Sequence, residues 1–231
     1  MTSRRVAVIG LGQFGFKVAT TLSQKGNEVI ALDIDPEKVD DIKDLVFQAY
    51  TVDSTDEKAL WAIGLDKVDI AIIAIGDNIQ ANLLTSALVK NMKVDKILAR
   101  SVTNVQQQIL KYIGVDEIIN IEEQMGINIA NTIATIDVEK YLEISPGHSL
   151  IEISAPPFCI GKKIGEINFR KNYNINVIAI KSKIPSVSEM GESIFEEVIN
   201  EVPGADDVIN DNDILMIIGS DENINNIKKG D

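Results

Sequence analysis

The segment Val6-Ala-Val-Ile-Gly-Leu-Gly-Gln-Phe-Gly15 constrains this chain more than any other stretch. Four apolar residues run into a glycine loop, and an amphipathic helical pattern over residues 15–25 follows, closed by Gly26. In a loop of this spacing Gly10 permits the tight turn, and Gly12 lets the backbone approach a pyrophosphate. Gly15 lets helix and strand pack closely. The helix start that results offers free N–H groups and a partial positive charge to an anion. Asp33 ends the next apolar run, where a carboxylate accepts hydrogen bonds from a ribose diol and repels a 2′-phosphate, which disfavours NADP. The bland alternative is a glycine turn beside a surface acid.

The pattern then repeats. Strands are expected at 5–9, 28–32, 48–52, 69–75, 96–99 and 117–121, separated by helices that begin near Gly15, Pro36, Thr55, Asn78 and Asn104. Ser54 or Thr55 is the expected cap of the third helix. The run Asp-Ile-Ala-Ile-Ile-Ala-Ile from Asp69 is apolar at nearly every position, as in a strand buried on both faces of a parallel sheet. Six strands alternating with five helices predict an α/β fold, a doubly wound parallel Rossmann-like sheet. One more amphipathic helix is expected over 125–140, without a following strand in the series. Ser145-Pro-Gly-His148 marks a boundary, giving a nucleotide-binding domain at 1–140 and a small α+β C-terminal module at 141–231. Strands are expected there at 150–155, 176–181 and 214–218, with a short helix at 163–169. The stretch 184–201 reads as polar.

Composition narrows the function. The chain has 22 Lys+Arg against 35 Asp+Glu, a net charge of −13, which argues against nucleic acid and anionic membrane as charge-driven partners. The single cysteine, Cys159, excludes an internal disulfide framework and suits a reducing compartment. The opening apolar run is too short for a signal peptide, and no run approaches a membrane span, so a soluble cytoplasmic protein is expected.

Two further strand ends lie at the carboxyl edge of the predicted sheet. Asp53 and Ser54 end the third strand, and Asp53 either accepts from an adenine amino group or caps the next helix. Ile75-Gly76-Asp77-Asn78 ends the fourth, with Gly76 either admitting a nucleotide or only turning the chain. Arg100, the one cation expected at this edge, is a candidate for ribose or phosphate. Glu122-Glu123 reads as a helix-start charge signal or, more sharply, as a hard-cation ligand (Mg²⁺ or Ca²⁺) at a symmetric interface. The only histidine, His148, reads as a turn residue, and no Ser/His/Asp set is evident. The residues thus describe a nucleotide-binding domain with nothing downstream built to react with the nucleotide.

At this point several motifs together resemble a family. Residues 6–15, Asp33-Ile34-Asp35, Val52-Asp-Ser-Thr55 and Ala74-Ile-Gly-Asp-Asn-Ile-Gln80 are similar to the RCK (KTN) regulatory subunits of Ktr/Trk-type potassium uptake systems. So are Ile160-Gly-Lys-Lys-Ile-Gly-Glu-Ile-Asn-Phe-Arg170, Asn176-Val-Ile-Ala-Ile180 and Asn212-Asp-Ile-Leu-Met-Ile-Ile-Gly219, so the likeness covers nearly the whole chain. The resemblance implies a non-enzymatic, cytoplasmic subunit at the inner face of the membrane. It would bind ATP/ADP or NAD(H), form dimers assembling into a ring, an octamer by resemblance, and gate an integral-membrane potassium translocating subunit. The glycine-loop contacts would extend to Leu11, Gln13 and Phe14, and those after the second strand to Ile34. Glu122 falls where some members hold an interfacial cation. Ile164, Arg170 and Ile175 match positions that hold cyclic di-AMP in others. Related chains carry Arg at the place of Gln13, where it meets the terminal phosphate of ATP in the partner subunit. Rival readings are a small NAD-dependent oxidoreductase and a stand-alone nucleotide sensor.

Overall fold

The computed structural model describes residues 3–134, 138–187 and 193–229. It divides into two compact units, Met1–Gln124 and Met125–Asp231. In the first, strands β1 (Arg5–Ile9), β2 (Glu28–Asp33), β3 (Gln48–Thr51), β4 (Ile70–Ile73), β5 (Lys96–Arg100) and β6 (Glu117–Ile119) form one parallel sheet. Its order is β3-β2-β1-β4-β5-β6, the doubly wound arrangement expected. Helices α1 (Gln13–Gln24), α2 (Pro36–Ile42), α3 (Glu57–Ala62), α4 (Ile79–Asn91) and α5 (Asn104–Ile113) connect the strands.

Strand alternation explains why the sheet is covered on both faces. Ala7, Ile9, Ile30, Leu32, Ala71 and Ile73 join Leu60, Val89 and Leu110 of α3, α4 and α5 in one core. Val6, Val8, Val29, Ala31 and Ile72 join Ala19, Val39 and Ile42 of α1 and α2 in the other. Successive residues of a strand point to opposite faces, so a run apolar at every position needs two layers of helix.

The second unit departs from expectation. Helix α6 spans Ile121–Ala134, and residues 138–140, expected as its last turn, instead open strand β7 (Val138–Ser145). The turn at Pro146 and Gly147 joins β7 to β8 (His148–Ser154) as an antiparallel hairpin, so the boundary expected at residue 140 falls inside this sheet. The short helix is split into α7 (Ile164–Ile167) and α8 (Phe169–Asn172), with Asn168 between them in the left-handed region. The stretch read as polar is a hairpin of β9 (Asn176–Val187) and β10 (Ser193–Asn200). Strand β11 (Ile214–Ser220) and helix α9 (Asp221–Lys229) complete the unit, with sheet order β10-β9-β11-β8-β7.

One face of this sheet packs Ile151, Ile153, Ile180, Leu215 and Ile217 against Ile167, Phe169, Ile224 and Ile227. On the other, Lys181 Nζ donates to both carboxylate oxygens of Glu152 at 2.9 Å, and this hydrogen-bonded partner raises the Lys181 pKa. Among the described residues no helix is long and apolar enough to cross a membrane.

Candidate functional site

A cleft of about 450 Å³ opens at the carboxyl edge of the parallel sheet, around the ends of β1 and β4, where the strand order reverses. Gly10 forms its floor. Its φ of +95° belongs to the left-handed region, and its N–H donates to the Leu32 carbonyl at 2.7 Å. A Cβ on Gly15 would overlap the Gly10 carbonyl oxygen, which is how α1 comes down onto β1. Gly12 caps α1 with no side chain, the first turn carries no acid, and a Cβ on Gly12 would meet open space. The first-turn N–H groups of an α-helix have no partner within it. These residues therefore fit a pyrophosphate: an open backbone cradle at the positive end of a helix. Leu11 and Phe14 turn their side chains toward the core beneath, and Gln13 is exposed outside the cleft lining. None of these three side chains lines the cleft.

Asp33, 9% exposed, does more than wait for a ribose. Its Oδ2 accepts from the Leu11 N–H at 2.6 Å and its Oδ1 from the Asp35 N–H at 2.9 Å. The carboxylate thereby ties the glycine loop to the end of β2. It has about four acceptor positions, two of them used, so acceptors remain for a ligand. Ile34 beside it is 67% exposed, an apolar surface at the rim. Lys38 also lines the cleft, with Nζ 3.9 Å from Asp33 and 3.8 Å from Asp35. Arg100 is thus not the sole cation at this edge.

At the end of β3 the helix cap is Asp56, which accepts from the Lys58 and Ala59 N–H groups; the expected caps are employed elsewhere. Asp53 accepts from the Thr55 hydroxyl and N–H, and these bonds hold its carboxyl below the usual range. Ser54 is buried and hydrogen-bonds Thr85 of α4 at 2.8 Å, so its hydroxyl is turned from the cleft it borders. At the end of β4, Asn78 caps α4 by accepting from the Ala81 N–H at 3.0 Å, while Asp77 is exposed at the rim.

Buried Asn82 was not foreseen. Its amide donates to the carbonyls of Ile75 (2.7 Å) and Arg100 (3.0 Å), fixing the ends of β4 and β5 together. Gly76 lets the Arg100 guanidinium lie against the backbone, since a Cβ there would come within 2.7 Å of Arg100 Cζ and make that side chain shift. Arg100 lines the cleft, and its Nη2 donates to Glu122 at 2.5 Å. Glu122 stands in the first turn of α6, where its own backbone N–H, and then Arg100, hold its carboxyl below the usual range. Glu123 accepts from Asn120 and Gln107. Both carboxylates stand in the first turn of α6, and among the described residues no group of three or more His, Cys, Asp or Glu of this one chain is placed to hold a metal.

In the second unit the three residues matched to a second-messenger pocket differ in burial. Ile175 is fully buried, packed beneath Gly219, whereas Ile164 is half-buried and Arg170 exposed. Burial pushes the Cys159 thiol up to about 12, an inert group at neutral pH.

The TrkA-N domain family matches residues 6–121, and the TrkA-C domain family matches residues 149–229. Ktr system potassium uptake protein C of Bacillus subtilis (strain 168) is 38% identical over 226 residues, 98% of this chain and 96% of its own. The chain belongs to the TrkA-N/TrkA-C family of potassium uptake proteins. A second TrkA-N/TrkA-C relative, Ktr system potassium uptake protein A of the same organism, is 32% identical over 222 residues, 96% of this chain and 94% of its own. Among solved structures, the GsuK channel superposes with a TM-score of 0.66 at 15% identity, over 98% of this chain and 39% of that one. At that identity the likeness is one of fold. The TrkA-N match ends at the start of α6, and the TrkA-C match begins at the second residue of β8.

Proposed function

We propose that this chain is a cytoplasmic, non-enzymatic regulatory subunit of a potassium uptake system, in which a nucleotide held by the first unit sets the state of a membrane translocating subunit. The observation that carries the reading is the glycine cradle: open at Gly12, without an acid in the first turn of α1, and joined through Leu11 to Asp33. That site suits the diphosphate and ribose of ATP, ADP or NAD(H). The phosphates lie at the helix N–H groups, the ribose diol meets Asp33, and the base lies along the Ile34 rim. The second unit, with its separate sheet, is the regulatory module.

Regulation requires the ligand to bind two assembly states unequally. Swinging a population between extremes takes roughly a 10⁴-fold difference in affinity, and a terminal phosphate at a subunit boundary supplies charge for it. Calorimetry against ATP, ADP, NAD⁺, NADH and cyclic di-AMP tests the reading. Binding of at least one of the first four at one site per chain is expected; no binding by any of them overturns it. NADH bound and then oxidised in the presence of a substrate would favour the oxidoreductase instead.

Assembly is part of the proposal. Met125, Ile127, Ile129 and Ile133 of α6 stand exposed, Ile133 at 78%, a cost in water that a neighbouring copy removes. Light scattering at micromolar concentration should give a mass above that of a dimer, and a monomeric mass would sink the ring.

Gln13 is assigned to the neighbour's ligand, because it is exposed and outside its own cleft lining. Gln13→Arg should raise the preference for ATP over ADP by about fivefold, roughly 1 kcal/mol for a partly solvated charge contact. Equal tightening of both nucleotides at fixed salt and Mg²⁺ would place the side chain on phosphates of its own subunit.

A further inference from the structure

We propose that Arg100 couples the charge of the ligand in the cleft to the first turn of α6, because the ligand and the Glu122 carboxylate draw on the same guanidinium. The inference rests on the nucleotide reading above and deepens it by naming how occupancy leaves the site.

The geometry is that of a bridge. Arg100 borders the cleft on one side, over Gly76, and holds Glu122 on the other. Its backbone carbonyl is pinned by the side-chain amides of Asn82 at 3.0 Å and Gln106 at 3.3 Å, so the freedom left lies in the side chain. Within that side chain Nε is buried without a partner. A planar guanidinium has five N–H donors; with Nε buried and Nη2 on Glu122, the terminal N–H groups of this 20% exposed side chain are the ones a ligand can reach.

Charge decides the sign. Asp33, Asp53 and Asp77 already line the cleft, and its second cation, Lys38, lies against Asp33 and Asp35. Both cations of the lining thus already face carboxylates, and Arg100 is the one whose partner, Glu122, lies outside the cleft lining. A phosphate on those terminal N–H groups competes with Glu122 for the guanidinium and repels the carboxylate. Each anion weakens the other's hold, and the loss falls on the first turn of α6. That helix runs from Ile121 to Ala134, across the division between the units at Gln124 and Met125.

Glu122→Gln keeps the length and a hydrogen-bonding oxygen but removes the competing charge. Dissociation constants for adenosine, AMP, ADP and ATP are measured on the full chain, Glu122→Gln, Arg100→Gln and the double variant. ATP should bind about 3- to 10-fold tighter to Glu122→Gln, the span expected for losing one solvated charge pair. The gain should shrink as phosphates are removed and vanish for adenosine. In the Arg100→Gln background the second substitution should give a smaller gain, since only the direct repulsion is left to relieve; an undiminished gain would take Arg100 out of the coupling. Hydrogen exchange gives an independent readout: amides 122–126 should exchange faster when ATP is bound to the parent chain and show no such response in Glu122→Gln.

Unchanged or weaker ATP binding by Glu122→Gln overturns the coupling, weaker binding showing instead that Glu122 positions Arg100 for the ligand. A gain as large for adenosine as for ATP overturns it too. If the parent chain binds none of the four, the nucleotide reading falls together with this inference; if it binds them and the variant is no different, only the inference falls.

Discussion

Asp33→Ala should weaken ATP, ADP and NAD⁺ together, by roughly 10- to 100-fold, because a charge-assisted acceptor is worth about 1.5–3 kcal/mol. The loss has two sources that a single affinity does not separate. One is the ribose diol; the other is the Leu11 N–H, which donates to Asp33 at 2.6 Å and loses its buried acceptor. A nucleotide lacking both ribose hydroxyls divides them. If the diol contact exists, 2′,3′-dideoxy-ATP should bind the parent chain almost as poorly as ATP binds the variant. It should lose less on going to the variant. Equal losses for ATP and the dideoxy analogue would assign Asp33 to the loop alone and take the diol out of the site.

Gly15→Ala should destabilise the first unit by about 3 kcal/mol, at the upper end of overpacking costs. The added methyl overlaps the Gly10 carbonyl oxygen, and beyond it lies Ala74 Cβ at 3.1 Å, so neither side yields easily. Alanine's better helix propensity returns about 1 kcal/mol at most. Gly12→Ala is the control, since its methyl would meet open space. Urea unfolding should show a large midpoint shift for Gly15→Ala and a small one for Gly12→Ala. With nucleotide affinity the penalty for Gly12→Ala should be the more evident, because its methyl enters the cradle. Similar stability for both variants would mean that α1 does not need its close seat on β1.

The parallel sheet was legible because each strand end carried a physical marker. Apolar runs at β1 and β4 demanded two-sided burial, and Gly10, Gly26, Gly64 and Gly114 broke the chain where the structure shows positive φ. The second sheet was harder. In Val-Glu-Lys-Tyr-Leu-Glu-Ile-Ser, the β7 sequence, Val138, Tyr141 and Leu142 satisfy a helical spacing as well as a strand, and the preceding helix biased the reading. Strand β10, Ser-Ile-Phe-Glu-Glu-Val-Ile-Asn, has two acids at its centre and hid its extended character.

The site divides the same way. Gly10, Gly12, Asp33 and Gly76 announce themselves by motif, whereas Lys38 and Asn82 sit at ordinary helical positions whose role appears only when β2, β4 and β5 are set side by side. Glu122 showed a charge but not its partner: Arg100 is far off in sequence, and only the parallel pairing of β5 with β6 brings them close. Ile175 shows what a matched position leaves open: it carries no information about burial, and in the single chain this side chain lies in the core.

The acids at the centre of β10 have a consequence for the chain in bulk. β10 is an edge strand, and Phe195 on it is 74% exposed, so its open row of backbone N–H and C=O groups is a template for another strand. Glu196 and Glu197 point to opposite faces of that edge, as adjacent residues of a strand must. If two copies met antiparallel about the middle of β10, each Glu196 would face a Glu197, and like charges would stand opposed on both faces at once. The strand therefore guards itself against the edge-to-edge stacking that begins fibres, and in a crowded solution the sheets of separate copies are kept apart.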